Sequence, residues 1–104
     1  MNIQFLHTTD CHVWKDSLAV LKEVLKEVGV DEKVEEIIVA TQEEAERYKF
    51  LGSPTILIDG IDLDPKARNV TNYTVASCRS YLYDNKFYEY PPKKMIIESL
   101  KERG

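Results

Sequence analysis

Cysteine is scarce in this chain, with only Cys11 and Cys78 among 104 residues. Two cysteines build no disulfide framework of the kind that staples small secreted domains, and they fit a reducing compartment. Long apolar runs are absent too, and none approaches the ~20 residues that a membrane span requires. The first strand-like segment begins at Ile3 and leaves no room for a signal peptide, so the expectation is a cytoplasmic protein. Positive charge is not in excess. The formal net charge is -4, the pI is near 5.2, and lysines alternate with glutamates. That balance argues against nucleic acid or a membrane as a partner. Glycine and proline number four each and nowhere gather into a linker or low-complexity stretch. The length is that of one domain, burying about two-thirds of its unfolded surface.

What is present is patterned. Asn2 to Thr8 carries Ile3, Phe5 and Leu6 and reads as a short strand. Thr8, Thr9 and Asp10 supply short oxygen-bearing side chains for a helix start. Val13, Leu18, Leu21, Val24, Leu25 and Val28 recur in steps of three and four as the apolar stripe of a helix, which Gly29 ends. Val34 to Ala40 is a second strand, parallel to the first because a helix lies between them. Thr41 and Glu44 form a capping box for a helical pattern that runs on to Leu51, with Gly52 as its stop. Pro54 then stands before the apolar strand Thr55 to Ile58, closed by a turn at Asp59-Gly60.

The remainder is less regular. Ile61 to Ala76 reads as a surface excursion, longer than a hairpin loop. Cys78 to Tyr83 reads as a fourth strand, and Phe87 to Tyr90 as a short extension or a loop. Pro91-Pro92 opens a last helix with Met95, Ile96, Ile97 and Leu100 packing inward. The order is β-α-β-α-β-β-α, a single α/β domain over residues 1–104 with a four-stranded mixed sheet flanked by helices.

Ala45 to Gly60 resembles the helix, cis-proline and strand segment of the thioredoxin superfamily. The shared features are Tyr48 late in the helix, Gly52 two residues before Pro54, Thr55 after it, and Ile56-Leu57-Ile58 ending in a glycine turn. The resemblance implies a thioredoxin-like fold with a cis bond before Pro54. It also implies a reactive cysteine between the first strand and first helix, and Cys11 stands there, in Asp10-Cys11-His12-Val13-Trp14. A helix N-terminus favours thiolate over thiol, and a charged Asp10 would work against it. The departures are equally definite. Trp14 replaces the second cysteine of the Cys-x-x-Cys motif, and Phe5 stands where the family keeps a buried acid. Ile58-Asp59-Gly60 is weakly similar to monothiol glutaredoxins, whose glutathione-holding lysine and double glycine are missing. The segment from Gly52 through Leu63 to Cys78-Arg79 and Tyr81 is similar to uncharacterised prokaryotic thioredoxin-like proteins, some labelled as related to alkylmercury lyase.

Three functional expectations follow. In the first, the chain is a monothiol redox or thiol-exchange protein without a cofactor. Cys11 is its catalytic thiol, and His12, Trp14, Ser53, Pro54 and Thr55 form its groove. Its partner is a protein or peptide thiol or disulfide, or a small thiol, and an extended chain would add as a strand beside Pro54. In the second, the same groove serves a non-catalytic module that binds a peptide, protein or small ligand. In the third, His7, Cys11 and His12 bind a soft metal such as mercury or zinc, although their spacing matches no zinc signature and a fourth ligand is lacking.

Cys78 does not enter these schemes. A fourth strand antiparallel to the third would start at the end away from Pro54, about 17 Å off for five residues. Bridged cysteine Cα atoms lie within ~7 Å, so Cys78 reads as a buried core residue unless the excursion reroutes the chain. Trp14 reads as a core or edge aromatic, or as a wall over the Cys11 thiol.

Overall fold

A computed structural model describes residues 1–76 and 78–103 of the chain. Strand β1 (Ile3–His7) lies between β2 (Val34–Ile38), to which it is parallel, and β3 (Thr55–Ile58), to which it is antiparallel. A short β4 (Ile61–Asp62) pairs antiparallel with β3, so the mixed four-stranded sheet runs β2-β1-β3-β4. Among the described residues three α-helices accompany it: α1 (Trp14–Glu27), α2 (Gln42–Tyr48) and α3 (Lys93–Arg103). A separate hairpin is formed by β5 (Tyr81–Tyr83) and β6 (Lys86–Tyr88).

The side-chain period of two sorts the sheet into two buried faces. Ile3, Phe5, Ile56 and Ile58 meet Leu21, Val24 and Leu25 of α1 and Met95, Ile96 and Leu100 of α3. Leu6 and Leu57 point the other way and meet Val39, Ala45 and Phe50. The four residues of β3 are all buried, which explains why that strand is apolar without alternation.

Local chemistry sets the element ends. Gly29, at φ +76°, closes α1 with Val30 N–H donating to the Leu25 carbonyl and Gly29 N–H to the Lys26 carbonyl, a Schellman motif. Thr41 caps α2 as expected, accepting from the Glu44 N–H while the Glu44 carboxylate accepts from the Thr41 N–H.

Other expectations are corrected. Val13, not Thr8 to Asp10, stands at the N-cap of α1, with no side-chain capping bond. Lys49, at φ +58°, rather than Gly52, takes the left-handed position that ends α2. Strand β2 stops at Ile38, two residues short of Ala40.

The largest correction concerns the fourth strand of the sheet. It is Ile61–Asp62, whereas Tyr81–Tyr83 belongs to the separate hairpin. Asp59 and Gly60 both have positive φ, +54° and +77°, which is the two-residue turn that sends a strand straight back alongside itself. Asp84 and Asn85, at +53° and +62°, make the same turn between β5 and β6. The chain leaving β4 is therefore free to return to the Pro54 end of β3, and it does.

Candidate functional site

Cys11 lies in the turn between β1 and α1, two residues ahead of the Val13 cap. Its side chain is nearly sealed, with 8% exposed. Cys11 lines a cavity of about 130 Å³ together with His12, Val13, Ser53, Cys78, Arg79, Ser80 and Glu89. That volume is about four water molecules' worth, room for one side-chain-sized group. Ser53 joins the two corners of the site, because its hydroxyl accepts the Thr8 N–H at 3.2 Å. The Ser53–Pro54 peptide bond is cis.

The opposite wall is built by the returning chain. Thr74 N–H donates to the Phe50 carbonyl at 3.1 Å, and Gln42 holds both the Tyr73 carbonyl and the Val75 N–H. Cys78 then forms a parallel bridge with Ser53, and the Arg79 N–H donates to the Ser53 carbonyl at 3.1 Å. The carbonyl beside Pro54 that an added strand would use is thus already taken by the protein's own backbone.

Arg79 fastens this wall. Its guanidinium grips Asp62 of β4 through two bonds, of 2.8 and 2.7 Å, and reaches the Thr55 hydroxyl at 3.2 Å. Both side chains of the pair are only 7% exposed. The guanidinium carbon stands 4.4 Å over the Tyr81 ring, and the Tyr81 hydroxyl donates to the Pro54 carbonyl. Burial by itself disfavours the Arg79 charge, but Tyr81, Asp62 and Asp64 outweigh it and hold its pKa above the ordinary value. Burial likewise pushes the Tyr81 phenol well above its usual range.

The expected site residues are only partly gathered here. Cys11, His12 and Ser53 line the cavity; Trp14, Pro54 and Thr55 are not among its lining residues. Trp14 is no wall over the thiol. It stacks on His7, with ring centroids 4.0 Å apart and planes 10° from parallel, and packs against the main core. Pro54 and Thr55 are buried behind Ser53, with Thr55 donating its hydroxyl to the Gly52 carbonyl. His12 is well exposed, 3.6 Å from Glu89.

The His7, Cys11 and His12 cluster does not form. His7 is buried, with Nδ1 2.8 Å from the Thr8 carbonyl and Nε2 2.7 Å from the Glu36 carboxylate, so neither nitrogen is left for a metal. Among the described residues, no three His, Cys, Asp or Glu side chains stand together as a metal site.

Cys78 is the clearest reversal. It is exposed, not a core residue, and it shares the cavity with Cys11. The separation argued from strand length fails because Cys78 is not in the sheet beside β3. Asp62 and Arg79 were also missed as determinants of the site. Asp62 lies inside the irregular Ile61–Ala76 stretch and Arg79 beyond it, and nothing in the local sequence marks them as a pair.

Residues 2–100 match a family described as a domain of unknown function, DUF2703. No curated protein and no solved structure matches the chain.

Proposed function

We propose, for a chain that belongs to the DUF2703 family and takes no assigned activity from it, a role in thiol-disulfide exchange with Cys11 as the attacking sulfur. One observation carries this reading: Cys11 lines a small cavity together with Ser53, the residue before the cis-proline. The strand order β2-β1-β3-β4, with the cysteine after β1 and the proline opening β3, supports a thioredoxin-like fold. Such an arrangement holds a sulfur where an incoming disulfide meets it in line, and the rate then depends on access and on thiolate character. The positive end of the α1 dipole lies two residues on from Cys11.

The cavity also narrows the substrate. About 130 Å³ admits a sulfur with a few attached atoms, whereas sites for drug-sized ligands run to about 300–1,000 Å³. A peptide strand laid beside Pro54 would have to displace Arg79 from the Ser53 carbonyl. The substrate class is therefore a small disulfide, or a protein disulfide that projects into the cavity, rather than a long extended chain.

The test is turnover. The reduced protein, given glutathione disulfide with dithiothreitol as terminal reductant, is expected to accelerate disulfide loss, and Cys11→Ser is expected to fall to the uncatalysed background. Equal rates for wild type and Cys11→Ser would end this reading.

A further inference from the structure

We infer that Cys78 is the resolving thiol for Cys11, so that the protein works as a two-cysteine redox centre assembled from two segments far apart in the sequence. The inference rests on the reading of Cys11 as the attacking sulfur. Local sequence offers no second thiol near Cys11, because Trp14 occupies that place and turns into the core against His7. The fold supplies one instead, lining the same cavity beside Ser53.

Cys78 is not simply a surface cysteine on a wandering loop. Its neighbour Arg79 is fixed by two bonds to buried Asp62 and by its own N–H to Ser53, and Tyr81 is anchored to the Pro54 carbonyl. On the near side, residues 73–75 are tied to Phe50 and Gln42. Anchors on both sides, those through Arg79 and Tyr81 buried, thus hold Cys78 next to Ser53, which itself bonds the Cys11 turn through Thr8. Three segments meet at one serine, and two of them carry the chain's only cysteines.

The chemistry balances with no further co-reactant. The Cys11 thiolate attacks one sulfur of a substrate disulfide, forming a mixed disulfide and releasing one substrate thiolate, which takes up a proton. The Cys78 thiolate then attacks the Cys11 sulfur, the mixed disulfide breaks, and the second substrate thiol leaves. The protein has lost two electrons and two hydrogens to the substrate, and it rests as an internal Cys11–Cys78 disulfide until an external dithiol reduces it.

The experiment follows the adduct by mass spectrometry after the reduced protein is mixed with glutathione disulfide. Wild type is expected to become two hydrogen masses lighter, with a peptide map joining the segments around Cys11 and Cys78. Cys78→Ser is expected to stop at a glutathione adduct on Cys11. Wild type that retains that adduct, with Cys78 still a free thiol, would overturn the resolving role while leaving Cys11 as the attacking sulfur. An adduct that persists on Cys78 in Cys11→Ser, with none on Cys11 in Cys78→Ser, would overturn both assignments. A disulfide joining Cys78 of two molecules would overturn the internal one. The wild-type map needs no substitution, so a variant that fails to fold does not remove the test.

Discussion

Arg79 and Asp62 pair with both side chains out of water, and at such a site the loss of one partner costs more than the pair is worth. Asp62→Asn keeps the shape but leaves a buried guanidinium without its counter-charge. It is expected to lower unfolding free energy in urea by about 3–5 kcal/mol. Replacing both together, Asp62→Leu with Arg79→Met, is expected to cost much less, because no buried charge remains. A single and a double variant of equal cost would show that the pair is not buried in solution. Neither residue stood out among the fourteen Lys and Arg and eighteen Asp and Glu of the chain. Charge pairing at a distance of 17 residues leaves no periodic trace, so only its three-dimensional partner reveals it.

At the scale of the element, α2 shows how far local chemistry reaches. Its capping box was legible because Thr41 and Glu44, only three positions apart, satisfy each other. Thr41→Ala is expected to cost about 1 kcal/mol, read as a lower urea midpoint. The Ala40 N–H, joined by the Thr41 hydroxyl and N–H and by the nearby Arg47 charge, holds the Glu44 carboxyl below its ordinary value against the opposing effect of burial. A group with a lowered folded pKa stabilises the fold above its unfolded pKa and loses that contribution as pH falls through the folded value. Unfolding free energy is therefore expected to decline with acid below the ordinary Glu value of about 4.3. Glu44→Gln should flatten that decline, and an unchanged slope would refute the link.

The far end of α2 was misread. A glycine was expected at the left-handed position, yet Lys49 occupies it, three residues before Gly52. The Schellman closure, with Phe50 N–H on the Ala45 carbonyl, sets that position by burying Phe50, which propensity alone does not disclose. The same holds for β4. Two residues are too short to show alternation, and the Asp59-Gly60 turn was the only local sign that the strand would fold back.

For the molecule as a whole, the decisive event is the return of the chain from β4 to Ser53. If Cys11 and Cys78 close on oxidation, a loop of nearly 70 residues is cross-linked, and the chain-entropy estimate gives up to about 4 kcal/mol. The oxidised protein is expected to unfold at a higher denaturant concentration than the reduced one. Cys78→Ser should remove the difference, and a wild type equally stable in both redox states would contradict it.

The amino-acid order by itself determined the period of each face, the Gly29 stop of α1, the Thr41–Glu44 capping box of α2, the apolar β3, and the corner at which Ser53 and Pro54 stand. These depend on neighbours within a few residues, and their physics is written locally. Tertiary structure alone decided where Cys78 goes, which way Trp14 turns, and that Asp62 is buried. Each of these depends on a contact between segments far apart in the chain, and its free energy exists only once both sides are in place.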